Sequence, residues 1–274
     1  MTFQKTRGVK GMAQKHYQSL DDFQILNPLD SSFEHEIRVK SLQDWNYEYI
    51  DFGKGVGYWR TESPFYGDGF ERFRDFVGRI PIRGLNNTEG SPTNNPFARI
   101  RLPLFAYADL SFLLADFWRE NIGRRADPSP EDVDGWSNIY DYRYCRPLKR
   151  WILPHTDGDN GLIGSLWFTK HPLGETGTKL YHYHGEAYGD DIWEYMKNPK
   201  HPKYDTFYSW GEEERHKEWI KISAIDAMEW GFEELGMISP VPGGMALYKS
   251  QIPHTAYLKK SVKFRWSHHI FLGI

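Results

Sequence analysis

The stretch "PHTDGDNGLIGSLWF", residues 154–168, opens with a histidine and an aspartate one residue apart, then turns apolar and glycine-punctuated. Its second half, "GLIGSLWF", is a short apolar run bounded by turn residues, which reads as a strand. Its neighbours have the same character. "DGWSNIYDYRYC" (134–145) precedes it, and "GGMALYKS" (243–250) and "VKFRWSHHIFL" (262–272) follow near the C-terminus. Upstream, "HEIRVKSL" (35–42), "DWNYEYIDFG" (44–53), "GYWR" (57–60) and "TNNPFARIRLPLF" (93–105) are further runs of aromatic and β-branched residues separated by turn formers. One segment differs. "YADLSFLLADFWREN" (107–121) places Leu110, Leu113, Leu114 and Phe117 at helical spacing, with Gly123 as its stop. The economical reading is one mainly β domain with flanking helices.

Composition narrows the function classes. The 274-residue chain is 26% charged with both signs mixed, and its net charge of -3 supplies no basic field for nucleic acid. No apolar run approaches the length that spans a bilayer, so no membrane partner is expected. Its single cysteine, Cys145, excludes an internal disulfide and a cysteine-cage zinc site, and points to a reducing compartment, with the cytoplasm as the expected location. The 11 Trp, 17 Tyr and 17 Phe are rigid surfaces suited to a sheet core or a small-molecule pocket.

Residues 1–30 are polar and aperiodic, an expected N-terminal arm, and residues 31–274 form the single domain. Residues 170–240 interrupt the strand pattern. They hold two charged, helix-like pieces, "GDDIWEYMKN" (189–198) and "GEEERHKEWIKI" (211–222), and read as an insert that covers the sheet as a lid.

His155 and Asp157 share one face if their segment is extended, because a strand sends alternate side chains the same way. A His-x-Asp pair alone is common in turns, and chemistry needs a third ligand. His254 is the candidate, at a Pro-His step after the "GGMALYKS" run. Two histidines and a carboxylate on one face of an iron leave positions open for reactants. Eleven residues beyond His254 stands Arg265, which shares a strand face with Ser267, a guanidinium and a hydroxyl suited to gripping a carboxylate.

Across residues 138–273 this joint spacing resembles the Fe(II)/2-oxoglutarate-dependent oxygenase superfamily. The resemblance implies a double-stranded β-helix (jelly roll) with iron held by His155, Asp157 and His254 at one mouth. It also implies 2-oxoglutarate as cosubstrate with its far carboxylate on Arg265 and Ser267, O2 as oxidant, and hydroxylation of an unactivated C–H bond of a small molecule such as an amino acid or specialised metabolite. Desaturation or cyclisation is the other outcome open to such chemistry. Some relatives use a lysine as anchor, and Lys263 also shares the face of Arg265.

Other residues compete for roles. Tyr140, Tyr142 and Tyr144 alternate on the strand before the triad, and Tyr142 is taken as the one that hydrogen-bonds the cosubstrate. "YHYHGE" supplies His182, His184 and Glu186, similar to a cupin metal motif but with the glutamate too close. His268 and His269 must point to opposite faces of their strand, with His269 on the inner one. Trp167 and Arg101 are candidates for substrate contact. The alternative to an enzyme is a cupin-like jelly roll that binds a metal or small ligand without turnover.

Overall fold

The computed structural model describes residues 18, 37–80, 98–101, 108–122, 133–141, 154–157, 161–184, 231–259 and 261–273. Ten strands and two helices make up the regular structure among them: β1 (Tyr47–Asp51), β2 (Gly57–Thr61), α1 (Gly69–Val77), β3 (Ala98–Arg101), α2 (Ala108–Ile122), β4 (Val133–Asp141), β5 (Gly161–Trp167), β6 (Thr176–Tyr183), β7 (Phe232–Ile238), β8 (Met245–Lys249), β9 (His254–Leu258) and β10 (Phe264–Gly273). A seven-stranded antiparallel sheet runs β1-β2-β8-β5-β10-β4-β3, and a three-stranded sheet runs β7-β6-β9.

From β4 onward the chain changes sheet in the order that defines a jelly roll. β4 and β5 lie in the large sheet, β6 and β7 in the small one, and β8, β9 and β10 return to large, small and large. Within the large sheet β8-β5-β10-β4 are adjacent, so the last strand closes against the first. An isolated bridge between His155 and His254 adds a fourth edge position to the small sheet beside β9. The expected mainly β double-stranded β-helix is therefore the fold.

Strand alternation divides the large sheet into two differently used faces. Leu162 and Leu166 of β5, Leu247 of β8 and Trp266, Ile270 and Leu272 of β10 face outward and pack with α1 and α2 in one core. On α2, Leu110, Leu113, Leu114, Phe117 and Trp118 are buried, as their helical spacing requires. Gly164 makes the close approach of α2 possible, since a Cβ there would lie 3.3 Å from Leu114 Cδ1 and 3.1 Å from Met245 Sδ. The opposite face looks toward the small sheet, where Ile163, Trp167, Ala246 and Tyr248 pack with Leu180, Ile238 and Ile252. That inner space holds the site.

Two departures from the sequence reading have local causes. Thr176–Tyr183 and Phe232–Ile238, placed in the insert, are strands of the small sheet. Their pairing shifts register between Leu180 and Tyr181, which breaks the two-residue period that reveals a strand. Of "HEIRVKSL", the described residues 37–42 contribute the Val39–Phe65 bridge and the start of a 3-10 turn at Leu42–Asp44 rather than a strand. The arm at 1–30 (save residue 18) and both helix-like pieces of the insert lie outside the described residues.

Candidate metal centre

Backbone pairing brings the triad together across a long separation in sequence. His155 N donates to the His254 carbonyl at 3.0 Å, His254 N returns the bond to His155 O at 2.9 Å, and Asp157 N donates to Ser250 O at 3.1 Å. Because the 155–157 segment is clamped at His155 to the start of β9 and at Asp157 to Ser250 just after β8, its two odd-numbered side chains turn to the same side as His254 while Thr156 is buried on the other. His254 Nε2 lies 3.0 Å from Asp157 Oδ2, and His155 Nε2 lies 3.6 Å from Asp157 Oδ1. The rings of His155 and His254 have centroids 4.6 Å apart, and one ligand atom from each of the three residues falls within 4.8 Å of the others.

The surroundings prepare these groups for a cation. His254 Nδ1 is 2.9 Å from the Ile252 carbonyl, which can only accept, so Nδ1 carries a hydrogen and Nε2 is the nitrogen turned to the triad. Burial alone would raise the Asp157 carboxyl, but the imidazoles of His254 and His155 and the bond from His254 hold it well below the usual carboxylate range. The Asp157 charge and that same bond raise His254 against the opposing effect of its burial. His254 forms the floor, with 6% of its side chain exposed, while His155 and Asp157 keep 29% each and leave one side approachable.

Across the inner space stands Arg265, 1% exposed on the inner face of β10. Burial lowers its guanidinium to about 10, with Tyr248 opposing. Lys263, which precedes β10, is exposed instead. The register puts Asn138, Ser267 and Trp167 in one row on the same face, with Tyr140 opposite Arg265 in the next. Asn138 Oδ1 and Trp167 Nε1 are buried and make no hydrogen bond among the described residues. Thr169 and His171 flank this end of the space, with Thr169 Oγ1 2.9 Å from His171 Nε2, and burial followed by the Arg265 charge lowers His171.

The remaining candidates separate cleanly. His269 faces inward, with Nδ1 2.8 Å from Ser165 Oγ and Nε2 3.0 Å from Ser267 Oγ. His268 faces outward between Phe73 and Phe168, and burial drops its ring to about 3. His182 and His184 lie at the end of β6 with centroids 5.0 Å apart, and His184 pairs with Glu233 at 2.7 Å, away from the triad. Tyr142, Tyr144 and Glu186 lie outside the described residues, and of Arg101 only the backbone in β3 is described. Tyr248 and Ser165 belong to the site and were missed. Tyr248 is buried with its ring edge-on to His254, centroids 5.1 Å apart, and Ser165 lies on the same inner face. The available signal was the inward alternation of Ala246 with Tyr248 and of Ser165 with Trp167.

No protein-family model and no curated protein matches the chain. Among solved structures it is similar to SnoK, a non-heme alpha ketoglutarate dependent carbocyclase from nogalamycin biosynthesis, at 11% identity and a TM-score of 0.47 over 85% of each chain. It is also similar to an oxidoreductase of the 2OG-Fe(II) oxygenase family from Burkholderia pseudomallei, at 11% identity and a TM-score of 0.41 over 75% of this chain and 77% of that one. HygX from Streptomyces hygroscopicus with nickel and 2-oxoglutarate bound matches at 11% identity and a TM-score of 0.42 over 75% and 78%. At these identities and TM-scores the likenesses assign no ligand, substrate or residue to this chain.

Proposed function

We propose that this jelly roll is an Fe(II)- and 2-oxoglutarate-dependent oxygenase that hydroxylates an unactivated C–H bond of a small molecule. The observation that carries the reading is the convergence of His155, Asp157 and His254 at one end of a space whose facing sheet buries Arg265. Two imidazoles and one carboxylate suit Fe(II) and leave positions for further ligands. A buried guanidinium and the unbonded Trp167 Nε1 hydrogen both favour an anion in the same space. The residues therefore fit both groups.

Iron with bound 2-oxoglutarate and O2 supplies the oxidising power for C–H cleavage. The chain supplies the rest. His254, fixed by its bond to the Ile252 carbonyl, presents Nε2, Asp157 brings the negative charge, and His155 completes the set from the approachable side. Arg265 and Ser267 grip the far carboxylate of 2-oxoglutarate, and Trp167 donates from the same row. The apolar walls from Ile163, Leu180 and Ile238 exclude water from the buried charges, which strengthens each of these contacts. The substrate reaches the metal from the side that His155 and Asp157 leave open, which favours a small molecule.

The test is succinate formation from 2-oxoglutarate by purified protein with Fe(II) and O2, against an amino-acid and metabolite panel, for the native chain and for Asp157→Gly. Native turnover that disappears in a folded Asp157→Gly protein is the expected result, because the iron loses its anionic ligand. Native protein that binds iron but never consumes 2-oxoglutarate would instead be a metal-binding jelly roll without turnover.

A further inference from the structure

On the inner face of the large sheet, three polar side chains from two adjacent strands form an unbroken line. Ser165 Oγ is 2.8 Å from His269 Nδ1 on β10, and His269 Nε2 is 3.0 Å from Ser267 Oγ. Sheet register produces the line, since Ser165 lies directly opposite His269 and Ser267 is the next inward residue of β10. All three residues are buried. The line's Ser267 end stands next to Arg265, two residues away on the same face of β10.

The imidazole in the middle makes the line directional. Burial first, and then the Arg265 charge, hold His269 well below the ordinary imidazole range, so its ring is neutral, with one nitrogen donating and the other accepting. Each hydroxyl has a single hydrogen to give. Only two complete arrangements satisfy every link. In the first, Ser165 donates to Nδ1, Nε2–H donates to Ser267, and the Ser267 hydrogen is left for a ligand beside Arg265. In the second both bonds reverse, so that Nδ1–H donates to Ser165 and Ser267 gives its hydrogen to Nε2.

We infer that His269 is a positioning residue whose tautomer sets Ser267 as donor or acceptor, and that a carboxylate on Arg265 selects the Nε2–H form. This rests on the reading of Arg265 and Ser267 as the 2-oxoglutarate anchor. A carboxylate accepts and cannot donate, so in the reversed arrangement Ser267 turns only lone pairs toward it. Occupancy of the anchor thereby fixes the His269 tautomer through hydrogens alone, with no movement of the backbone.

The test uses Zn(II)-loaded native protein labelled with 15N-histidine, in which long-range 1H–15N spectra identify the protonated nitrogen of His269 as 2-oxoglutarate is added. The expected result is Nε2–H with Nδ1 unprotonated at saturation. Nδ1–H, or an imidazolium, in the saturated complex overturns the inference while leaving 2-oxoglutarate binding, and the proposed function, intact. If 2-oxoglutarate fails to bind the loaded protein, the anchor reading fails and the inference falls with it. A second arm titrates 2-oxoglutarate into Mn(II)-loaded His269→Leu and His269→Gln. Loss of one charge-assisted hydrogen bond weakens binding roughly 10-fold or more in the Leu protein at unchanged Mn(II) affinity, and Gln, which keeps a donor and an acceptor, restores most of it. Equal 2-oxoglutarate affinity in native, Leu and Gln proteins overturns the inference, and the spectra on native protein decide it where the Leu variant does not fold.

Discussion

Lys263 and Arg265 are two residues apart, on either side of the point where β10 begins, and the protein treats them oppositely. Arg265 is enclosed while Lys263 is exposed. A carboxylate held at Arg265 is shielded from water, so Arg265→Ala should weaken 2-oxoglutarate binding to Mn(II)-loaded protein by roughly 10- to 100-fold, with Lys263→Ala near native, in calorimetric titrations. The reverse order would make the lysine the anchor. The convergence of His155, Asp157 and His254 was legible in the sequence because few residue types ligate a metal and because alternation puts His155 and Asp157 on one face. Tyr248 and Ser165 were not, since a tyrosine and a serine on separate strands share the inner face only once the β5–β8 register is known, and that register is set by packing between segments far apart in the chain.

Among the elements, α2 was the most legible, because Leu110, Leu113, Leu114 and Phe117 repeat at helical spacing and the structure buries all four. Leu114 is fully buried where α2 rests on Gly164. Leu114→Ala should therefore cost about 2–5 kcal/mol, read as a lowered urea midpoint at unchanged slope. β5, β8 and β10 were legible for a related reason, each being a short apolar or alternating run between turns. α1 was passed over although Phe70, Phe73 and Val77 carry helical spacing. β6 and β7 were hidden by their charge as well as their register shift. Lys179 pairs with Glu234 at 2.6 Å, and Glu233 pairs with Lys54 at the tip of the β1–β2 hairpin, so charged residues occupy positions where a sandwich strand usually shows apolar ones. The hairpin tip itself was readable as a turn, with Gly53, Lys54 and Gly55 all at positive φ.

At the scale of the whole molecule, no helix among the described residues is long and apolar enough to cross a membrane. The buried histidines give the fold an acid limb. His268 stays neutral in the folded protein down to about 3, whereas the unfolded chain takes up that proton below about 6.5. Between those values the unfolded state binds more protons, so stability is intact above pH 6.5 and falls as pH drops, by about 1.4 kcal/mol per pH unit for this group. His268→Leu should flatten that fall, seen as a smaller difference between urea midpoints at pH 7 and pH 5. The clamp between the 155–157 segment and β9 has a different reach. Asp157 and His254 are 97 residues apart in sequence, so a cation held by both ties off a loop of that size, as a disulfide would in a chain with one cysteine. Constraining a loop of about 100 residues is worth about 4.7 kcal/mol in the chain-entropy picture, and a ligand specific to the folded state stabilises by mass action. The melting temperature is then a property of the chain and its cation together. It should climb with free Mn(II) and drop on adding chelator, and the cation becomes a cross-link that can be made and unmade in solution.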